Sequence, residues 1–429
     1  MVAMYTLSRF RARVPQVRRP IANRKECSNN EKDFLPPFDV PPQCLHYWAL
    51  LPVPANPQER DFGELARRVL TTSVSVKPGD VVVISGGKHT IPLMEALAIE
   101  AQKAGGLVTM FLASDKLTRS RYMDAPEDYL AQEPRYVAEW LKQVDVWINL
   151  PEASDIKALQ AGVSAARLAK IDKANQFILP LLDGMKFREA DLILPTEERA
   201  RSFGLDPATY INMVWGAIGA DYQQISVKGN ELKKVLQGAK TVRITSPSGT
   251  NLTFAVGNRP IFVDDGIVSA EKAKSKRFLD RIAGLPGGNL NVAPLENSAT
   301  GKVVVPRAGC RFEPMTDISF TFQNGKMENF KAGGGGQCFQ ELISSSAGPT
   351  NVIASFGIGL NPTFKVHEEN GAVYYPGSAA GLVFVGIGDN QVFGGNNKTQ
   401  GNFGFVFPIV KATVEIDGQV VVKDGQLAL

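Results

Sequence analysis

The sequence predicts an α/β domain over residues 59–225 followed by a β-rich α+β domain over 226–429, behind an irregular basic lead-in at 1–58. Three observations carry this reading. A chain of 429 residues is longer than one ordinary core organises. From about residue 60 to 225 helical and strand-like periods alternate, the signature of a mainly parallel sheet with helices on its faces. Beyond 225 the alternation gives way to short β-rich runs separated by turn residues, as in antiparallel sheet.

Taken in order, residues 61–73 have helical spacing, and Val81-Val82-Val83-Ile84 after Pro78-Gly79-Asp80 reads as a buried strand. Thr90 is placed to cap a helix whose apolar face is Met94, Leu97, Ala98 and Ala101, ending at Gly105-Gly106. A strand at 107–111, a helix over 127–142 and a strand at 144–150 follow. In the second half, strands are expected at 242–245, 252–256, 261–263, 302–305 and 318–322. Ser246-Pro247-Ser248-Gly249 and Asn324-Gly325 supply turns, and one helix is expected at 337–345 after four consecutive glycines.

With 44% hydrophobic and 21% charged residues the composition is that of a soluble globular protein, and no apolar run is long enough to span a membrane. The net charge of +4 comes from the lead-in, where Arg9, Arg11, Arg13, Arg18, Arg19, Arg24 and Lys25 stand without an acid. Without those seven, 40 basic groups face 43 acidic ones, a net of −3, so the body has no reason to favour nucleic acid. The tail is Arg-rich like a transit peptide but lacks an apolar signal core, and a cytoplasmic protein is expected. Cys27, Cys44, Cys310 and Cys338 are widely spaced, which argues against a disulfide framework and a zinc ribbon; His46, His89 and His367 are the only histidines.

Several segments resemble the thermophilic-type metallo-aminopeptidases, the aminopeptidase T type. They are Pro195-Thr196-Glu197-Glu198-Arg199-Ala200 with Phe203-Gly204-Leu205, then Gly249-Thr250-Asn251-Leu252-Thr253-Phe254, then Pro286-Gly287-Gly288-Asn289-Leu290-Asn291, Phe356-Gly357-Ile358-Gly359-Leu360-Asn361 and Gly394-Gly395-Asn396-Asn397. The resemblance implies the two-domain fold of that family, usually dimeric, with a dinuclear metal centre. It also implies where the ligands should be. Asn289 stands at a Glu position, Ser355 at a second Glu, Phe384 at a His, and Asn402 and Gly404 at a late His-x-Asp pair. An amide, a hydroxyl, a phenyl ring and a glycine cannot offset two dications about 3.5–4 Å apart. The scaffold also resembles 2,5-dihydroxypyridine 5,6-dioxygenase, whose two His and one Asp for iron would fall on Ser355, Asn402 and Gly404. No metal or other cofactor is therefore expected.

Candidate chemistry lies elsewhere. Cys338, at a helix start after Gly333-Gly334-Gly335-Gly336, has the setting of an activated nucleophile or of a buried structural cysteine. His367, Glu368 and Glu369 offer an acid–base pair, a relocated metal site joined by Asp317, or merely a solvated turn. Asp264-Asp265-Gly266 is either a hairpin turn or a carboxylate pair at a strand end, Asp265 being the one taken as catalytic. Lys88 and His89 follow a strand and precede a helix, where anions and ligands bind. Cys310 has Arg307 and Arg311 beside it.

The expected function is that of an aminopeptidase T-like, hydrolase-like enzyme acting without metal on a small amide, aromatic or heterocyclic molecule. Asn289, Ser355, Phe384, Asn402 and Phe403, with Lys88 and His89, would line its site. The competing readings are a metal-dependent aminopeptidase with relocated ligands and a non-catalytic binding homologue. A homodimer is expected, with neither nucleic acid nor membrane as partner.

Overall fold

Strand alternation and helix spacing set up two kinds of sheet, and the computed structural model shows how they meet. It describes residues 61–429 except 133–134, 176–177, 311–312, 370–371 and 401, so the basic lead-in at 1–58 lies outside the described residues. Residues 62–429 belong to one compact unit.

The first half supplies strands β1 (Val81–Gly87), β2 (Leu107–Ala113), β3 (Val146–Asn149) and β4 (Arg188–Leu192), all parallel. β1 carries Val82 and Ile84 into the main core and Val83 into a second cluster on the opposite face, with Trp147 and Phe187. A parallel strand covered on both faces is apolar on both. The helix Ile91–Lys103 buries Leu93, Met94, Leu97 and Ala101. Thr90 stands at its N-cap, but the hydroxyl donates to the Gly87 carbonyl at 2.8 Å instead of accepting from the helix. The first helical segment runs as α-helix at Gly63–Arg68 and widens to a π turn at Val69–Ser73. The expected helix over 127–142 is two pieces, Glu127–Leu130 and Arg135–Leu141.

The second half supplies β5 (Val242–Thr245), β6 (Asn251–Phe254), β7 (Ile261–Asp264), β8 (Ile282–Leu285), β9 (Asn289–Val292), β10 (Thr300–Cys310), β11 (Glu313–Gln323) and β12 (Lys326–Lys331). It continues with β13 (Ile353–Gly359), β14 (His367–Glu369), β15 (Ala372–Tyr374), β16 (Val383–Gly388), β17 (Gly404–Ile409), β18 (Thr413–Ile416), β19 (Gln419–Lys423) and β20 (Gln426–Leu427). An eight-stranded antiparallel sheet has the order β12-β11-β10-β6-β5-β18-β19-β20, and a five-stranded one the order β17-β16-β13-β9-β7. Asn324 and Gly325 both adopt positive φ (47° and 77°), as a two-residue hairpin between β11 and β12 requires.

The sequence alone did not place β8. This four-residue strand lies far along the chain, yet it pairs parallel to β4 and completes the first sheet as β2-β1-β3-β4-β8. Leu285 and Ala190, from the two halves, therefore share one sheet, and the main core runs from Ala66 to Val422.

Candidate functional site

The five-stranded antiparallel sheet has one apolar face and one mixed face. Leu290, Val292, Phe356, Ile358, Val385, Phe405 and Phe407 point into the main core. Side chains of a strand alternate, so the intervening residues share the other face. Register makes one row of Phe262, Asn291, Gly357, Phe384 and Pro408, and a second of Ser355, Gly386 and Val406. Asp264, Asn289 and Gly359 form a third. Asn289, Ser355 and Phe384 thus stand on one face of one sheet. Gly404, paired with Gly388, lies in a further row of that face.

This face is an amide and aromatic surface. Asn291 Nδ2 donates to Asn289 Oδ1 at 2.5 Å, and Asn289 Nδ2 donates to Ser378 Oγ at 3.4 Å. The Phe384 ring covers Gly357 so closely that a Cβ there would lie 2.1 Å from it. Asn402 sits before β17 in a left-handed turn (φ 49°), its N–H bonded to Thr399 O. Phe403 is not on the mixed face: it is 6% exposed and packed in the main core, in phase with Phe405 and Phe407. Strand parity therefore removes it from the expected lining.

The parallel sheet delivers a second polar row. Ser85, Asn149, Asp191 and Gly284 stand side by side at the C-terminal ends of β1, β3, β4 and β8. Trp147 Nε1 donates to Ser85 Oγ at 2.8 Å, Ser85 Oγ to Asn149 Oδ1 at 3.2 Å, and Asn149 Nδ2 to Asp191 Oδ1 at 3.3 Å. Gly284 closes the row: its N–H donates to Asp264 Oδ1 at 2.9 Å, and Gly266 N–H donates to the same oxygen at 3.2 Å. Asp264 is itself the register partner of Asn289. The polar row of the parallel sheet therefore runs into the mixed face of the antiparallel sheet at the Gly284–Asp264 contact.

Three carboxyl groups gather here, each shifted upward. Burial raises Asp264, opposed by its two backbone N–H donors, and burial with the Asp264 charge raises Asp191. Glu189, two residues before Asp191 on the same face, is pushed up to about 8 by burial and by the Asp191 charge. Carboxyl groups perturbed in this way favour functional clefts. Asp265, the carboxylate expected to be catalytic, points the other way. It is 2% exposed, takes Lys272 Nζ at 2.5 Å and Ser226 Oγ at 2.7 Å, and is a structural anchor. The turn places Asp264, its neighbour, at the junction of the two polar rows.

The remaining expected residues scatter. Lys88 and His89 form an exposed turn, Lys88–Thr90, at the end of β1. Partial burial lowers the His89 pKa, against the pull of Asp115 and Glu198. His367 and Glu368 lie on the short β14–β15 hairpin, where consecutive side chains face opposite sides. His367 pairs across the hairpin with Tyr374, and Glu368 accepts the Tyr375 hydroxyl. They do not meet as an acid–base pair. Cys338 does start the helix Gly336–Ser344, but its Sγ is bonded to that of Cys310, so it carries no free thiol for nucleophilic attack. The spacing argument against disulfides also fails, because 28 residues of hairpin bring the two sulfurs together.

A family model that matches most of the chain places it among the metallopeptidases. It belongs to the thermophilic metalloprotease family M29, whose model matches residues 58–352 and ends just before Ser355. Among solved structures it is similar to wild-type AmpT from Thermus thermophilus, at 17% identity and TM-score 0.65, covering 86% of this chain and 99% of that one. It is also similar to a 2,5-dihydroxypyridine dioxygenase from Pseudomonas putida KT2440, at 16% identity and TM-score 0.56, covering 86% and 97%. No protein of curated function matches the sequence.

A metalloprotease family implies metal, and the residues present do not fit it. The expected ligand positions on the mixed face hold Asn289, Ser355 and Phe384, none of which is an anionic donor, and the carboxyl groups at its edge, Asp264 and Asp191, accept from Gly284 and Gly266 N–H and from Asn149 Nδ2. Among the described residues no group of three or more His, Cys, Asp or Glu side chains is placed to hold an ion. That includes His367, Glu368 and Asp317, which are not gathered as ligands, while the side chain of Glu369, the fourth member of the relocated set, lies outside the described ones.

Proposed function

We propose that this protein is an M29-fold enzyme that works without a dinuclear metal centre, hydrolysing a small amide, aromatic or heterocyclic molecule in the cleft between the two polar rows. The observation that carries the reading is the meeting of Asp191 and Asp264 with the uncharged Asn289–Asn291–Phe384 surface. Asp264, with Oδ1 held by two N–H donors, is the proposed general acid–base, and Asp191, its pKa raised by burial, stands beside it as a second carboxyl group. The amides orient polar substituents and Phe384 stacks on a ring. The active protein is proposed to be a homodimer, which sedimentation tests.

A screen of aryl amides and cyclic amides, followed by elemental analysis, checks this proposal. Turnover should survive EDTA, the isolated protein should carry no stoichiometric transition metal, and Asp264→Asn should lower kcat by ~100-fold or more with the fold intact. Tightly held zinc, cobalt, manganese or iron, or chelator-sensitive turnover, would overturn it.

A further inference from the structure

Beside the polar row stands a cation with no counter-ion among the described residues. β4 leads through Pro195 into the short helix Glu197–Ser202, capped by Thr196, whose Oγ1 accepts from Arg199 N–H at 3.1 Å. Two acids of this helix are taken by Arg201, which pairs with Glu197 at 2.5 Å and Glu198 at 3.9 Å. Among the described residues Arg199 makes no ion pair within 4 Å, and its Nε is buried without a hydrogen-bond partner. The Tyr210 hydroxyl is in a similar state: the residue is 0% exposed and, among the described residues, its oxygen has no partner of good hydrogen-bond geometry, although Tyr374 and Arg199 stand close to it.

These groups adjoin one another. The guanidinium of Arg199 acts electrostatically on Tyr210, on Tyr374 and on Asp191. Tyr374 packs edge-on against Tyr210, with ring centroids 5.5 Å apart, and both pack against Phe203. Burial holds both phenols neutral, so each keeps a proton to donate. Tyr374 begins the segment that runs to Ser378, the partner of Asn289. A guanidinium and two neighbouring phenols make a donor-rich set, which is the complement of a carboxylate with its two acceptor oxygens. A buried donor left without a partner is costly, and an anion would satisfy both at once. Asp191 does not serve: it is held by Asn149 and stands outside ion-pair distance of Arg199.

We infer that Arg199, Tyr210 and Tyr374 form a binding site for a carboxylate group, so that the molecule taken into the cleft is a carboxylic acid. The inference rests on the proposed cleft for its location but not on turnover, and binding alone tests it. The carboxylate could belong to a free acid or to a peptide C-terminus, and the ligands distinguish these.

The full chain is titrated calorimetrically with a panel of aliphatic and aromatic monocarboxylates, benzoate among them, and with their amides. N-acetyl dipeptides with free or amidated C-termini form a second arm. Binding of an acid but not of its amide is expected. Arg199→Gln should weaken that binding ~10-fold or more, and Tyr210→Phe several-fold. Arg199→Lys, which keeps the charge but loses the fork, should weaken it less than Arg199→Gln and guards against misfolding. If no carboxylate on the panel binds, or if acids bind wild type and Arg199→Gln equally, the inference falls. Metal-dependent turnover accompanied by Arg199-dependent binding would overturn the proposed function and leave this site standing.

Discussion

Asp264 and Asp265 are adjacent, equally acidic and differently employed. Asp265 meets a lysine ammonium and a serine hydroxyl, whereas Asp264 meets only backbone N–H groups at the end of a polar row. A sequence gives the pair but not which member faces the cleft, because the turn geometry that decides this depends on Lys272 and Gly284. Arg199 lay inside a motif that resembles the family, yet its lack of a partner becomes visible only when every nearby acid is placed. Glu189 supports a stability prediction. Its carboxyl titrates near 4.5 when unfolded and at about 8 in the fold. The folded state therefore binds the proton more tightly, and the stability this contributes is complete below pH 4.5 and lost as pH rises towards 8. Thermal unfolding should show stability falling by up to roughly 1.4 kcal/mol per pH unit through this window. Glu189→Gln should flatten that slope; an unchanged slope in the variant would exclude Glu189 as its source.

At the scale of elements, the site depends on two glycines where strands meet. A Cβ on Gly284 would lie 2.3 Å from Asp264 Oδ2, and one on Gly357 would lie within the Phe384 ring. Gly284→Ala should thus displace Asp264 and destabilise by ~1–3 kcal/mol, with the β8 strand amide losing its carboxylate partner. Amide exchange at Gly284 read against a distant β-strand amide would separate this local effect from general destabilisation. The alternating first half and the antiparallel second half were readable because strand and helix periods are local properties. β8 was not readable: four residues before a proline carry no period of their own, and only pairing to β4 gives them their role. Phe403 went astray for a related reason, since a one-residue shift of phase moves a side chain from the mixed face to the core.

On the scale of the whole molecule, the Cys310–Cys338 bond bears on where the protein works. β10 ends at Cys310, and the chain returns through β11 and β12 before the helix Gly336–Ser344 presents Cys338. The bond ties that helix to the eight-stranded sheet, and Phe339 packs on Phe330 of that sheet and on Phe407 of the five-stranded one. Closing a loop over a separation of 28 residues restricts the unfolded chain by roughly 3–4 kcal/mol. No helix among the described residues is long and apolar enough to cross a membrane, which leaves the compartment open, and the expected cytoplasmic placement sits poorly with a disulfide that reducing conditions would remove. Peptide mapping of protein alkylated before reduction should recover the segments bearing Cys310 and Cys338 as one cross-linked species. Dithiothreitol, or Cys338→Ser, should lower the melting temperature by several degrees. The helix rests on an aromatic layer that persists without the bond, so the variant should remain folded and keep its carboxylate affinity, Tyr210 and Tyr374 lying in a separate cluster. Separate alkylation of both cysteines in freshly isolated protein would instead show two buried thiols and restore the cytoplasmic reading.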